Sequence, residues 1–200
     1  VIFIPQGEFV AYGALTLAML QTGKTPGTVW LLLILALVAS LMELVARWRH
    51  HGNALRAVQA GLKTLAFPAL ISALAIWAAP QQFPLGVQAA LSVAIVTAFG
   101  PLIYRVAYQS LEAATPLVLL IVSVGVHFAM TGLGLLFFGA EGFRNPPFWD
   151  ERFSVGPLTL SGQTVIIFVV SLALIVLMWL YFERSLRGKA LRATAVNRTG

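Results

Sequence analysis

Near the start of the chain, Pro5-Gln6-Gly7-Glu8 sets an amide and a carboxylate between two residues that interrupt regular backbone. Proline removes a backbone donor and glycine is a poor helix former, so this stretch predicts a break in the helix around it. Ionisable groups at membrane depth are costly and normally face a pathway or a partner, and irregular backbone at that depth is tolerated only inside protein or beside water. Gln6, Gly7 and Glu8 are therefore candidates to line a translocation pathway. The competing reading puts Glu8 at the membrane surface, where its charge costs little.

His127 is the next candidate, flanked by Val126 and Phe128 in the middle of a long apolar run. It has two readings, a hydrogen bond to a neighbouring helix or a place on a polar pathway. In sequence it stands without a nearby carboxylate or serine-based relay, which argues against catalysis. His50-His51 are adjacent, so their rings point to different helix faces and chelate poorly. The chain has no cysteine and none of the G-x-x-x-x-G-K-[ST], H-E-x-x-H or G-x-S-x-G motifs. No catalytic residue, metal site or cofactor is expected, and the chain is read as a non-enzyme.

The third candidate is basic. In residues 184–195, Leu186, Ala190 and Ala193 recur at helical spacing between Arg187, Lys189 and Arg192. A short amphipathic helix fits, weakened by Gly188. It reads either as an anchor on anionic headgroups or as a docking helix for another subunit.

The elements that must position these residues are hydrophobic spans. The chain of 200 residues is 59% hydrophobic and 10% charged, with a mean hydropathy of +0.88; soluble domains carry about 25% charged residues. Runs at 28–46, 85–103, 116–139 and 162–182 suit the roughly 20 residues needed to cross a bilayer. Residues 64–79 are short, with Lys63 able to snorkel at one end, and 9–20 are too short alone. Gly100-Pro101 predicts a kink or stop in the fourth segment. The fold class is thus all-α, a polytopic transmembrane helix bundle of about six hydrophobic segments over residues 1–182, followed by a basic segment at 183–200.

Charge sets the orientation. Arg47, Arg49, Arg56 and Lys63 cluster in one loop and Arg184, Arg187, Lys189, Arg192 and Arg198 in another; Arg105 sits in a third, balanced by Glu112. Placing these loops in the cytoplasm puts most of the 13 bases inside. Residues 140–161 then lie outside, with Asn145-Pro146-Pro147-Phe148-Trp149 as a turn-prone aromatic stretch and 154–161 as a short strand or hairpin. The aromatics mark either the membrane boundary or a docking surface. The same grouping of bases in loops argues against a nucleic-acid partner. The chain starts within a segment and stops in a basic loop, which reads as part of a longer protein.

At both ends the sequence resembles the permeases of branched-chain amino acid ABC importers. The stretch from Phe3 through Pro5-Gln6-Gly7-Glu8-Phe9 to Gly13-Ala14 is similar to that family's N-F-A-H-G-E-F-x-x-x-G-A-Y signature. The run Arg187-Gly188-Lys189-Ala190-Leu191-Arg192-Ala193-Thr194-Ala195-Val196-Asn197-Arg198 is similar to its G-R-A-x-R-A-x-A-x-[DN]-R segment. Tyr104-Arg105 and Ser123-Val124-Gly125-Val126 match a Y-R-P stretch and a T-I-G-x-S helix between them. Gln6 stands where the family commonly has histidine, His127 where it often has a small hydroxyl residue, and 28–80 look like two extra helices. The resemblance implies a multi-pass subunit of a bacterial inner membrane, embedded in lipid, that moves branched-chain amino acids or relatives such as amides and urea. It further implies a second permease subunit, a periplasmic solute-binding protein, and cytoplasmic ATPase subunits docked at Arg187, Gly188, Ala190, Leu191, Arg192, Ala193, Asn197 and Arg198. The alternative from residues alone is an ion-coupled secondary transporter, which requires a carboxylate or histidine relay within its spans.

Overall fold

In a computed structural model, the structure describes residues 3–51, 54–111, 114–155 and 158–196. The described elements are α1 (Gln6–Gln21), α2 (Gly27–His51), α3 (Ala54–Ala78), α4 (Leu85–Ile103), α5 (Pro116–Phe138), the strands β1 (Arg152–Val155) and β2 (Leu158–Ser161), α6 (Gly162–Arg184) and α7 (Leu186–Val196). The chain is an all-α protein with one small antiparallel hairpin, in which Arg152 pairs with Ser161. Among the described residues, five helical stretches are long and apolar enough to cross a membrane: Gly27–Trp48, Val58–Gln81, Leu85–Leu111, Pro116–Phe138 and Gly162–Arg184. It is a multi-pass membrane protein on that ground.

The expected sixth hydrophobic segment is α1, and it is not a sixth span by length. Its 16 residues rise roughly 24 Å at about 1.5 Å each, short of the ~30 Å hydrocarbon core. The predicted break falls earlier than expected. Gln6, Gly7 and Glu8 form the first turn of α1, with buried Pro5 immediately before it. Proline has a φ already suited to helix and lacks a donor that the first turn would leave unpaired anyway, so it starts the helix here and does not interrupt it.

Two other expectations shift. The basic loop at 47–63 is largely helical: α2 runs on to His51 and α3 begins at Ala54, because a helix satisfies its own backbone and need not end where the hydrocarbon does. Gly100-Pro101 neither stops nor replaces α4, which continues to Ile103 and passes into a π turn, Tyr104–Tyr108, and a 3-10 turn, Gln109–Leu111. In an α-helix residues three apart share a face. The wider π turn separates Arg105 from Tyr108, so that Arg105 reaches α2 and α3 while Tyr108 reaches Ser123 on α5. Glu112, the expected balance for Arg105, lies outside the described residues; the carboxylate bound to Arg105 is Glu43, at 3.0 Å.

The chain divides into two compact units, Val1–Asn145 and Pro146–Gly200. The first contains α1 to α5, with α2 and α3 packed into the same core as α1 and α4 through Leu32, Ala36, Ala75, Ile95 and Phe99. Its shortest helix is held by polar bonds on several sides. Ile4 N donates to Ser123 Oγ at 3.0 Å, Tyr12 Oη to the Met130 carbonyl at 2.6 Å, and Ser92 Oγ to the Gly13 carbonyl at 2.7 Å. Thr16 and Thr28 share a buried hydroxyl contact of 2.8 Å. Such bonds between helices each contribute modestly, about 0.6 kcal/mol on average, and act together. Small residues allow the close approach: a Cβ on Gly27 would lie 2.8 Å from Cβ of Phe137.

The second unit starts with the hairpin. Trp149 and Phe153 meet edge to face at 5.0 Å, and Ser161 caps α6 by accepting from Thr164 N. Within this unit the apolar stretch of α6 is left exposed and only Gly162 at its start is buried, the pattern of a helix solvated by lipid or by other helices.

Candidate translocation site

Glu8 and His127, far apart in sequence, meet between α1 and α5. Oε1 of Glu8 lies 2.6 Å from Nδ1 of His127, with side-chain exposures of 14% and 35% respectively. The contact is close enough for a carboxylate–imidazolium ion pair, but it is not an aligned hydrogen bond: Nδ1 of His127 is buried without a hydrogen-bond partner among the described residues. Thr131, one helical turn beyond His127, lies 3.5 Å from the same Oε1 and donates to the His127 carbonyl at 3.0 Å. Oε2 of Glu8 is buried without a hydrogen-bond partner among the described residues. His127 therefore has a carboxylate partner, which its sequence neighbourhood does not reveal.

The pair adjoins a groove of about 340 Å³ lined by Glu8, Tyr12, Met130, Thr131, Gly134 and the turn at 139–142. Tyr12 forms its floor, 3% exposed, stacked on Phe99 with ring centroids 5.9 Å apart. Its hydroxyl spans from α1 to the carbonyl of Met130. Gly134 of α5 faces Tyr12, where a Cβ would sit in ordinary contact, 3.6 Å from the hydroxyl oxygen. Chemically, the groove presents two carboxylates, Glu8 with His127 beside it and Glu141, two hydroxyls, Tyr12 and Thr131, and apolar walls. Such a set can accept a cationic or amide donor, or pass a proton.

Removing the Tyr12 hydroxyl tests what holds this floor. Tyr12→Phe is expected to cost about 1 kcal/mol, seen as a fall in unfolding temperature of about 2–4 °C in detergent. An unchanged midpoint would show that the bond to Met130 does not fasten α1 to α5.

The other expected pathway residues do not join the pair. Gln6 and Gly7 are exposed on the first turn of α1, and a Cβ on Gly7 would meet nothing within 4 Å. Tyr12 and Thr131 were missed by sequence reasoning. Tyr12 carries one detectable signal, a polar-tipped aromatic one turn after Glu8 on the same helix face.

A second polar cluster joins three helices. Glu43 accepts from Arg47 at 3.0 Å through Oε1, and from Arg105 at 3.0 Å and Thr64 at 2.7 Å through Oε2.

The basic C-terminal candidates lie on α7. Ser185 ends α6 and its Oγ accepts from Gly188 N at 2.9 Å, which caps α7. Arg187, Ala190, Leu191, Arg192 and Ala193 are exposed, whereas Gly188 is buried against the end of α6. A Cβ there would strike the Tyr181 carbonyl oxygen and come within 2.7 Å of Cα of Phe182. Glycine at this position is thus a packing requirement as well as a weak helix former. Arg192 fastens the turn by donating to the Phe182 carbonyl at 2.7 Å and to Glu183 at 3.0 Å. Asn197 and Arg198 lie outside the described residues.

Set beside known proteins, the chain matches no family, no curated protein and no solved structure.

Proposed function

We propose that the chain is the pathway-forming permease subunit of an ATP-driven importer in a bacterial inner membrane, carrying branched-chain amino acids or related small solutes such as amides and urea. The observation that carries the transport reading is the contact between Glu8 and His127 beside a groove in the apolar bundle. Keeping ionisable groups there is costly unless a pathway or partner uses them. The sequence resemblance at both ends supplies the class of transporter. In this reading lipid surrounds the spans, and a second permease subunit completes the pathway. A periplasmic binding protein delivers solute at the outer face, and cytoplasmic ATPase subunits dock at α7 and the residues that follow it. The chain itself performs no chemistry; it alternates between two conformations whose populations the ATPases shift.

One observation favours a second reading. The same carboxylate–imidazole contact is what an ion-coupled secondary transporter requires as a proton relay. Purifying the full-length protein from native membranes in mild detergent separates the two. Recovery with two ATPase subunits and a second permease, and ATP hydrolysis stimulated by a binding protein, is the expected result. A lone homo-oligomer whose uptake collapses with the proton gradient and ignores ATP would overturn the importer and establish the coupled transporter.

A further inference from the structure

We infer that the groove between α2 and the turns after α4 is a binding site for the phosphodiester headgroup of an anionic membrane lipid. The groove, about 390 Å³, is lined by Met42, Glu43, Arg47, Arg105, Gln109 and Ser110, with two alanines completing its wall. Two guanidinium groups face one carboxylate, so the lining carries a net positive charge. Glu43 is already satisfied from both sides by Arg47, Arg105 and Thr64, and it serves to hold the two arginines at one opening. Their side chains remain 54% and 41% exposed. Each guanidinium has five N–H donors, more than Glu43 and Thr64 engage. Gln109 and Ser110 are exposed beside them and add an amide and a hydroxyl. This is a donor set for phosphate oxygens.

Position selects a lipid over a free phosphate. The apolar run of α2 gives way to Arg47-Trp48-Arg49, and that of α4 to Tyr104-Arg105, shortly before Gln109 and Ser110. Both rims of the groove therefore stand where a hydrocarbon span meets the headgroup layer. The remaining wall, formed by Met42 and the alanines, is apolar and lies further into the α2 span, where an acyl chain would run. Basic pockets between helices at this depth are the usual seat of acidic headgroups. The π turn makes the site, because it directs Arg105 to the α2 side. The proposal does not depend on what the protein transports.

The test reconstitutes the full-length protein in phosphatidylcholine nanodiscs carrying a minor fraction of spin-labelled phosphatidylglycerol, and reads the motionally restricted signal. Phosphatidylglycerol is expected to be retained in preference to spin-labelled phosphatidylcholine. Arg47→Gln should lower that preference about fivefold, the weight of one basic side chain at the headgroup layer, while Glu43 keeps its bond to Arg105 and the unfolding temperature in pure phosphatidylcholine stays unchanged. Ser110→Ala, on an exposed turn, provides the same test with a smaller loss should Arg47→Gln disturb folding. Equal retention of the two lipids, or a preference that survives both substitutions, would overturn the site. Displacement of the labelled lipid by inorganic phosphate would overturn the lipid as its occupant and assign the groove to a free anion.

Discussion

Replacing Glu8 with alanine is expected to lower solute uptake by the full-length protein about ten- to a hundredfold, the cost of leaving one partner of a half-buried carboxylate–imidazole contact alone. His127→Ala should fall in the same range. The double variant should be little worse than either single one, because each substitution removes the same contact. Glu8→Gln separates charge from shape: it keeps an oxygen that can accept from Nδ1 of His127 and loses the negative charge. If the site recognises a cationic or amide donor, or relays a proton, Glu8→Gln should behave like Glu8→Ala. If the pair merely ties α1 to α5, Glu8→Gln should transport almost normally and unfold at almost the native temperature. Additive losses in the cycle would mean that the 2.6 Å contact does not couple the two residues, and the translocation site would have to be sought elsewhere.

Gly188→Ala offers a second large effect, with a sign that distinguishes two accounts of this residue. On a free helix, alanine is about 1 kcal/mol better than glycine, so the substitution would strengthen α7. At Gly188 the added Cβ meets the backbone of Tyr181 and Phe182, which cannot turn aside like a long side chain. Overpacking of this kind costs about 1–3 kcal/mol, enough to make the open state of the α6–α7 corner about five to a hundred times more populated. Trypsin cleavage after Arg187, Lys189 and Arg192 should accelerate by that factor under conditions where cleavage follows local opening. Ala193→Gly, exposed and further along the helix, loses helix propensity without a clash and should accelerate cleavage far less. A slower cleavage of Gly188→Ala than of the native chain would show that Gly188 makes no close approach to α6. In the importer reading the same substitution displaces the surface offered to the ATPase subunits, so co-purification of those subunits should fail while membrane insertion persists.

The contrast between Gly188 and Glu8 separates what is local in this protein from what is not. Hydrophobic length and charge grouping are properties of contiguous residues. They sufficed for the runs that became α2 to α6, for strand structure within 154–161, and for a helix at α7, whose expected apolar residues Leu186, Ala190 and Ala193 are exposed. Helix ends were less well determined. Arg47 and Lys63 read as loop residues because they are charged, yet a helix closes its backbone bonds internally and extends α2 and α3 past the apolar run. Pro101 read as a kink or stop because the missing donor and the bulk of its ring are local facts, whereas the π turn beyond it depends on Arg105 and Tyr108 each finding a partner on a different helix.

The sequence by itself determined that the chain lives in a membrane and where its spans lie, because the exclusion of water from hydrocarbon acts on each stretch of about twenty residues independently of the rest. Only the tertiary structure decided that the short α1 is sutured into the bundle by Tyr12, Thr16, Ser92 and Ser123, that Glu8 faces His127, and that Glu43 gathers Arg47, Arg105 and Thr64. Polar groups within an apolar bundle must find one another, and the partner each one finds is set by which helices touch, a property that no single stretch of sequence contains.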